Sequence, residues 1–353
     1  MGETRFTVLD SWRGIAACMV ALMHVNAYSH IEQLALVRNA YLFVDFFFVL
    51  SGFVIASTYQ ERIAGGFSVG RFMLLRLGRL YPLHLAVLAA FWAYDFPAAD
   101  RAGTALSHLL LVHSLGEVQP TLWNVPSWSI STELFAYLAF ALAVSATRGK
   151  IERLLAVTLV ALPIVIYVVN GDMSATHRVG LVRCLYGFAA GAAAWHVFRR
   201  FQDRIPSGTA AEAWAVAAVL VFVMGFGRDP LSIAAPAVFA ATLLVFARQG
   251  GAVSRILTRR PFLFLGTVSY SIYMTHYFIA RRSVELVAFA KRQGISLFDS
   301  LGADRWAGDV ALLIYLGIVV VVSAVTYTFV EAPCRDWVRR HAQRHQRPAR
   351  APA

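Results

Sequence analysis

Apolar segments long enough to cross a lipid bilayer recur along the whole chain. We predict ten of them, at residues 8–26, 42–58, 80–95, 128–146, 153–170, 180–198, 213–227, 231–247, 262–280 and 309–331. The composition agrees, since 58% of the 353 residues are hydrophobic and 15% are charged, against about 45–50% and about 25% in soluble domains. The sequence therefore predicts an all-α, polytopic integral membrane bundle of about ten transmembrane helices.

The basic residues are divided unequally between the two sides of this predicted bundle. With the N-terminus in the cytoplasm, 21 of the 32 Lys and Arg residues fall in cytoplasmic segments and nine in outer segments. This asymmetry follows the positive-inside rule, so we predict that both termini are cytoplasmic. The net charge of +12 is then explained by orientation and by contact with anionic membrane lipid, and nucleic acid is not expected as a partner.

Two segments lie outside the ten predicted spans. Leu106–Leu115 is apolar but has only ten residues, too few to cross a bilayer, so we predict a re-entrant or interfacial piece on the outer face. Residues 1–335 are predicted to form one membrane domain, followed by a basic cytoplasmic tail at 336–353. A cleavable signal peptide is not expected, because Arg13 lies in the middle of the first apolar segment.

Arg13 and His24 lie on the first predicted span, 11 residues apart. At about 100° and about 1.5 Å per residue, they share nearly the same helix face and lie about 16 Å apart. A guanidinium in hydrocarbon costs about 2.5–3.5 kcal/mol, so Arg13 needs an anion or a cavity to face. We therefore predict a ligand along this face, anionic near Arg13 and reacting near His24.

A second pair of arginines stands where the third predicted span begins. Arg76 and Arg79 are three residues apart, so both project from one helix face at the predicted cytoplasmic boundary. Guanidinium groups match the oxygens of phosphates. On their own these arginines are explained as topology signals, but beside the buried Arg13 they indicate a polyanion site.

Two carboxylates, Asp45 and Glu133, are predicted near the same outer level of the membrane as His24. Carboxylates within a membrane normally face the bundle interior and pair with a cation. Either one would orient the His24 imidazole and stabilise its protonated form, or would instead form a structural ion pair, for instance Glu133 with Arg13 or Arg183. Among the other histidines in or near the spans, His276 has the best claim to a chemical role.

Six stretches together resemble the acyltransferase 3 family of membrane, acyl-CoA-dependent O-acyltransferases, which modify envelope glycans, lipids and some antibiotics. They are Leu9–His24, Val44–Phe53, Arg76–Pro82, Pro126–Phe135, Ser269–His276 and Val330–Arg335. The resemblance covers nearly the whole chain and implies a location in the bacterial cytoplasmic (inner) membrane. It also implies that five matching positions are functional, namely Arg13, His24, Arg76, Arg79 and Glu133.

Many relatives carry an additional extracytoplasmic, hydrolase-like domain, and this chain ends where such a domain would begin. We therefore expect either that the membrane domain binds the acceptor directly or that a separate extracytoplasmic protein presents it.

The reaction expected from these residues moves an acyl group, acetyl or longer, from cytoplasmic acyl-CoA to a hydroxyl of a carbohydrate or glycolipid acceptor. Arg13, Arg76 and Arg79 are expected to bind the donor. His24 is the expected general base, oriented by Glu133 or Asp45, and an acyl-histidine intermediate is the alternative. Developing negative charge would be met by hydroxyl or amide donors, for which the candidates are Ser127, Ser129 and Asn124. Acyl-CoA, with acetyl-CoA as the first candidate, is the expected co-substrate, and neither a metal nor a bound redox cofactor is predicted.

Two other function classes remain as alternatives. A proton-coupled secondary transporter would use the histidine and a carboxylate to carry protons, but it is expected to show inverted repeats and broken helices, and we find no repeat in the sequence. A binding or scaffold component of an envelope assembly would need no catalytic base. His24 with its nearby carboxylates therefore favours the enzyme.

Overall fold

The computed structural model describes residues 6–95, 101–115, 123–176, 178–295 and 301–344, which form helices joined by turns, without a strand in these ranges. The α-helices are α1 (Thr7–Met23), α2 (His30–Gln33), α3 (Ala35–Arg38), α4 (Phe43–Ala64), α5 (Val69–Asp95), α6 (Arg101–Leu109), α7 (Ser127–Thr147), α8 (Glu152–Asn170), α9 (Gly180–Phe201), α10 (Thr209–Phe226), α11 (Ala235–Ala247), α12 (Ala252–Leu257), α13 (Arg260–Arg292), α14 (Arg305–Thr326) and α15 (Ala332–Arg344). Short 3₁₀ turns lie at Ala40–Leu42, Gln202–Arg204 and Pro230–Ala234, and a π-helix lies at Tyr327–Glu331. The predicted all-helical membrane fold is confirmed.

Eight helical stretches are long and apolar enough to cross a membrane. They are Ala40–Ala64, Val69–Tyr94, Ser127–Thr147, Glu152–Asn170, Gly180–Arg204, Thr209–Phe226, Pro230–Ala247 and Arg305–Ala342. Each coincides with one of the predicted spans. The other two predicted spans, 8–26 and 262–280, form α1, with 17 residues, and part of α13, with 33 residues. The total of ten spans and the cytoplasmic location of both termini stay predictions.

Helix α5 begins at Val69, 11 residues before the predicted start of its span. Apolarity marks where a helix crosses hydrocarbon, but it does not mark where the helix ends. The basic stretch before the apolar segment continues the same helix. Arg76 and Arg79 therefore lie inside α5 rather than in its first turn.

Helices α1 and α13 pack closely along their backbones. A Cβ atom added at Gly14 would lie 2.5 Å from the carbonyl carbon of Leu265, and one added at Gly266 would overlap the carbonyl oxygen of Asp10. Small residues at such contacts let two helices in a membrane approach closely. This contact holds the face of α1 that carries Arg13 and His24 against α13.

Helices α4 and α9 make a second close contact. Gly187 and Gly191 of α9 form a small-xxx-small pair. A Cβ atom at Gly191 would overlap the carbonyl oxygen of Val49 on α4, and one at Gly52 of α4 would overlap the carbonyl oxygen of Phe188. The two helices thus interlock through glycines on both partners.

The segment predicted to be re-entrant, Leu106–Leu115, comprises the last four residues of the nine-residue helix α6 and the turns that follow it to residue 115. Nine residues are too few to cross a bilayer. The side chains of His108, Leu111 and His113 are buried against the rest of the bundle.

The first part of the predicted tail is helical and packs on the bundle. Helix α15 lies against α5, where a Cβ atom added at Gly78 would lie 2.6 Å from the Cβ of Val338. Residues 345–353 of the predicted tail lie outside the described residues.

Candidate functional site

A cavity of about 100 Å³ lies among α1, α4, α5, α7 and α13 and brings together most of the predicted charged residues. Its wall includes Arg13 from α1, Arg76 and Arg79 from α5, and Glu133 from α7. The other lining residues are apolar, aromatic or hydroxyl-bearing: Val44, Phe47, Phe48, Leu50, Ser51, Val54, Ile55, Leu80, Ser129, Ile130, Tyr137, Ser269, Tyr270 and Tyr273. We call this the arginine cavity.

Arg13 connects α1 to α13 at the wall of the arginine cavity. Its Nε donates a hydrogen bond to Ser269 Oγ at 2.7 Å, and its Nη2 donates to the Gly266 carbonyl at 3.0 Å. The same Nη2 lies 3.3 Å from a carboxylate oxygen of Asp10. The buried charge is thus held in place by its own protein while it faces the cavity.

The two arginines of α5 have guanidinium N–H groups that make no hydrogen bond within the described residues. Arg76 Nη2 donates to the Tyr59 hydroxyl at 3.0 Å, while its Nε is buried without a hydrogen-bond partner among the described residues. Arg79 likewise makes no hydrogen bond within the described ranges. A guanidinium has five donors, so these side chains fit a ligand that carries several anionic oxygens.

Glu133 belongs to a short chain of hydrogen bonds in the wall of the same cavity. The Tyr137 hydroxyl donates to Glu133 Oε1 at 2.5 Å, and Ser51 Oγ lies 2.9 Å from that hydroxyl. Because the tyrosine proton goes to the carboxylate, Ser51 is the donor in the second bond. The sequence analysis missed Tyr137 and Ser51, although the four-residue spacing from Glu133 to Tyr137 indicates a shared helix face.

Asp45 pairs with Arg183 rather than with His24. Arg183 Nε and Nη2 donate to the two oxygens of Asp45 at 2.8 and 2.7 Å. The Asp45 side chain is 0% exposed and the Arg183 side chain 1% exposed. This is the structural ion pair that the sequence analysis allowed as an alternative. Neither Asp45 nor Glu133 makes a hydrogen bond to His24 in the part of the chain that the structure describes.

His24 caps the C-terminus of α1 and meets a second histidine. His24 Nδ1 lies 2.8 Å from the Val20 carbonyl oxygen and 3.3 Å from Nε2 of His276. His276 Nδ1 lies 3.2 Å from the carbonyl oxygen of Ile272. A carbonyl oxygen accepts but cannot donate, so each Nδ1 carries the hydrogen in the neutral rings. This tautomer, inferred from the hydrogen bonds, leaves a free lone pair on Nε2 of His24.

Tyr273 connects the arginine cavity to the histidine pair. Its ring lines the cavity, and its centroid lies 5.9 Å from that of His276. Its hydroxyl lies 2.7 Å from Ser129 Oγ and donates to the Pro126 carbonyl at 3.1 Å. His24 itself is not part of the cavity wall. Tyr273 thus borders the arginine cavity and also lies beside His276, the residue that contacts His24.

Ser127 and Asn124, two of the three predicted oxyanion donors, point elsewhere. Ser127 Oγ donates to the Asn124 carbonyl at 2.7 Å and lies 3.0 Å from Nε2 of His113. Asn124 Nδ2 donates to the Met274 carbonyl at 3.0 Å. Both side chains therefore tie the turn before α7 to its neighbours, and the structure brings neither of them to the arginine cavity or to His24. Ser129 is the predicted donor that lines the cavity.

The partner of Ser127, His113, belongs to a stack of buried histidine rings. Its centroid lies 4.2 Å from that of His108 and 6.1 Å from that of His84, with the rings nearly parallel. Burial, reinforced by these two neighbours, lowers the pKa of His113 to about 3. The ring is therefore neutral at physiological pH. The described His, Cys, Asp and Glu residues include no group of three or more that is arranged to hold a metal ion.

Comparison with known proteins identifies the relatives of this chain. Residues 6–328 match the protein family described as Acyltransferase domain. The chain is 28% identical over 358 residues to "Putative membrane-bound transacylase BcsY" of Komagataeibacter xylinus, covering 94% of this chain and 83% of that protein. It is 27% identical over 332 residues to "Acyltransferase MdmB" of Streptomyces mycarofaciens, covering 82% and 80%.

A shorter match is 38% identical over 91 residues to "Protein 2 in picA locus" of Rhizobium radiobacter, which covers 26% of this chain and less than half, 46%, of that protein. No solved structure matches this chain.

Proposed function

Because this chain belongs to the Acyltransferase domain family, we propose that it moves an acyl group from acyl-CoA to a hydroxyl of an envelope saccharide or glycolipid. Acetyl-CoA is the first candidate for the donor, and the bacterial inner membrane is the proposed location. The observation that carries the proposal is the meeting of Arg13, Arg76 and Arg79 in one cavity. Three guanidinium groups fit the several phosphate oxygens of coenzyme A.

The donor would enter at the arginine cavity, because the face of α1 that carries Arg13 and His24 packs against α13. Its nucleotide phosphates bind Arg76 and Arg79, which line the arginine cavity, and Arg13 meets negative charge deeper in the bundle. The pantetheine arm of coenzyme A is long and thin, which suits the distance of about 16 Å between Arg13 and His24. Tyr273 stands on this path, so the thioester passes its ring on the way to His24.

The chemical step would take place at Nε2 of His24. This nitrogen removes the proton of the acceptor hydroxyl while the oxygen attacks the thioester carbonyl. The new C–O bond forms, the C–S bond breaks, and the leaving thiolate of coenzyme A takes up the proton from His24. General-base assistance of this kind typically contributes 10²–10⁴-fold to the rate. In the alternative path, Nε2 attacks the thioester first, the C–S bond breaks and coenzyme A leaves as its thiolate. The acceptor hydroxyl then takes the acyl group from the acyl-histidine, which frees Nε2, and the hydroxyl proton goes to the thiolate.

Glu133 would act in the arginine cavity, where the acyl-CoA donor is proposed to bind. The Tyr137 hydroxyl donates to one oxygen of Glu133, which lines a cavity together with three arginines. Among these cations, Glu133 keeps the empty cavity from being strongly positive and orients the Tyr137 hydroxyl. We therefore propose it as a positioning residue for the donor, and we propose Ser129, together with Tyr273, for the polar contact to the acyl carbonyl.

The proposal is tested by transfer of label. Membranes that contain the wild-type protein, His24→Ala or the control His341→Ala, an exposed histidine of α15, receive radiolabelled acetyl-CoA. Alkali-labile label is then counted in the glycan and lipid fractions. We expect equal label with wild type and His341→Ala, and about 10²-fold less with His24→Ala, at equal amounts of protein on a blot. Equal label with His24→Ala would remove His24 from the chemistry. Label that stays on the wild-type protein after a rapid quench would indicate the acyl-histidine path.

A further inference from the structure

A second, larger cavity lies beside the end of α1 that His24 caps. It has a volume of about 900 Å³ and is lined mainly by charged, amide and hydroxyl side chains: Met23, Asn26, Glu32, Gln33, Val37, Arg38, Tyr41, Asp172, Ser174 and Arg228. We call it the polar cavity. Met23 directly precedes His24, so the polar cavity reaches the predicted outer end of the helix that carries the proposed base.

The two acidic residues of the polar cavity are already engaged by nearby groups. Glu32 Oε2 accepts a hydrogen bond from the backbone N–H of Ala27 at 3.1 Å. Asp172 Oδ1 accepts from the N–H and the hydroxyl of Ser174 at 2.8 and 2.6 Å. These carboxylates shape the loops around the cavity and pair with neither of its arginines.

The basic and amide side chains of the polar cavity have unused donors. Arg38 and Arg228 form no hydrogen bond or ion pair within the described ranges, and the same is true of the Asn26 and Gln33 amides. Two exposed arginines alone would be ordinary surface residues. Here they border one cavity with two free amides, a donor set that fits an acidic group together with hydroxyls.

A third cavity, which is almost entirely apolar, lies near the polar cavity. It has a volume of about 110 Å³ and is lined by Trp12, Ile15, Ala16, Met19, Leu36, Phe43, Phe46, Val216, Val219, Leu220, Phe239 and Thr242. We call it the apolar cavity. Leu220, in its wall, is 38% exposed on the outside of α10, so the apolar cavity lies where a lipid chain can enter from the bilayer.

The two cavities are lined by neighbouring residues of two elements. Met19 lines the apolar cavity and Met23 the polar cavity, and residues four apart lie on the same face of a helix. On α3, Leu36 lines the apolar cavity and Val37, the next residue, the polar cavity. A single molecule with a polar head and an alkyl chain would therefore contact both.

We propose that these two cavities form the acceptor site and that the acceptor is an acidic, hydroxyl-bearing head group carried on a lipid chain. The acidic group binds Arg38 and Arg228, the hydroxyls bind Asn26 and Gln33, and the alkyl chain fills the apolar cavity. This inference rests on the proposed function, since it brings a head-group hydroxyl beside His24. A neutral bilayer lipid in the apolar cavity would gain no binding energy from Arg38 and Arg228.

Binding is tested without any acyl transfer. The protein in nanodiscs of phosphatidylcholine is photolabelled with a decyl glucuronide that carries a diazirine in its alkyl chain, and with the matching neutral decyl glucoside. Labelled peptides are quantified by mass spectrometry relative to α8, whose apolar side chains are largely exposed. We expect the glucuronide to label α1 and α10 about tenfold more than the glucoside does.

Variants with matched controls assign the two parts of the site. Arg38→Ala with Arg228→Ala, and Leu220→Trp, should each lower the glucuronide labelling of α1 and α10 by about tenfold. Arg178→Ala, an exposed arginine outside the polar cavity, and Val221→Trp, 65% exposed on α10, should not lower it.

Equal labelling by the two probes, or labelling unchanged by the double arginine variant, would overturn the proposal and leave ordinary bilayer lipid as the occupant. Because the assay measures binding, its failure would leave the acetyl-CoA transfer result standing, and the reverse also holds.

Discussion

At the scale of single residues, the side chain that contacts the His24 ring is a second imidazole, that of His276. Helical level predicts which residues lie at the same depth, and by that criterion Asp45 and Glu133 were reasonable partners. Depth does not say which way a side chain points. Asp45 turns to Arg183, where two charged hydrogen bonds compensate its burial, and His276 from α13 occupies the place beside His24.

The role of His276 can be tested by changing its acceptor. When His24 takes up a proton, its Nδ1–H donates to Nε2 of His276 and the positive charge is stabilised. His276→Gln keeps an acceptor oxygen near this position, whereas His276→Leu removes it and leaves a buried donor less well satisfied. We expect kcat to fall by about 10-fold or more in His276→Leu, with KM for acetyl-CoA unchanged and much of kcat restored in His276→Gln. Equal kcat values in the two variants would assign His276 a packing role.

His113 predicts a dependence of stability on pH. Its pKa is lowered to about 3 in the folded protein, below the usual value of about 6.5, so the unfolded chain binds a proton more readily. Stability is therefore lost as the pH falls below about 6.5, by about 1.4 kcal/mol per unit and about 2 kcal/mol at pH 5. We expect Tm of the wild-type protein in detergent to fall more between pH 7 and pH 5 than Tm of His113→Asn. An equal decrease in Tm between pH 7 and pH 5 for the two proteins would contradict this role of His113.

At the scale of helices, backbone contact through glycines determines which elements are neighbours. The apolar pattern predicted where helices lie, and all eight apolar helical stretches coincide with predicted spans. It did not predict that α4 packs on α9 or that α1 packs on α13. Those pairings depend on the shape of one helix face against another, and the Gly187–Gly191 spacing on α9 is the local signal for the first of them.

The α4–α9 contact should fail when a side chain is added to it. In Gly191→Val the new Cβ overlaps the carbonyl oxygen of Val49, and overpacking of this kind costs about 1–3 kcal/mol or more. Gly317→Val on α14 makes the same chemical change where nothing lies within 4 Å. We expect Tm to fall by several degrees more in Gly191→Val than in Gly317→Val, measured by thermal unfolding in detergent. Equal decreases in Tm for the two variants would mean that α4 and α9 move apart to accommodate the valine without loss of stability.

At the scale of the whole molecule, the sequence analysis correctly predicted an all-helical membrane protein of the acyltransferase 3 family. It also selected three arginines from α1 and α5 that the fold gathers in one cavity. The membrane environment accounts for this grouping, because a charge within a membrane must face the shared interior. Ser127 and Asn124 were harder to predict, since hydroxyl and amide groups are satisfied by any nearby backbone group, and theirs lie away from the cavity.

In the proposed function, donor binding in the arginine cavity is separate from chemistry at His24. The three arginines line the arginine cavity and His24 does not, so the two proposed functions should respond to different substitutions. A variant of the cavity should lose affinity for coenzyme A, whereas a variant of the base should lose turnover and keep affinity.

Calorimetric titration of coenzyme A into the purified protein in detergent tests most directly whether the arginine cavity binds the donor independently of His24. We expect His24→Ala to bind coenzyme A as the wild type does, and Arg76→Ala with Arg79→Ala to bind it at least about tenfold more weakly. Arg339→Ala with Arg340→Ala, two exposed arginines of α15, controls for the loss of net charge and should bind normally. Unchanged affinity in the Arg76 and Arg79 double variant would contradict donor binding in the arginine cavity.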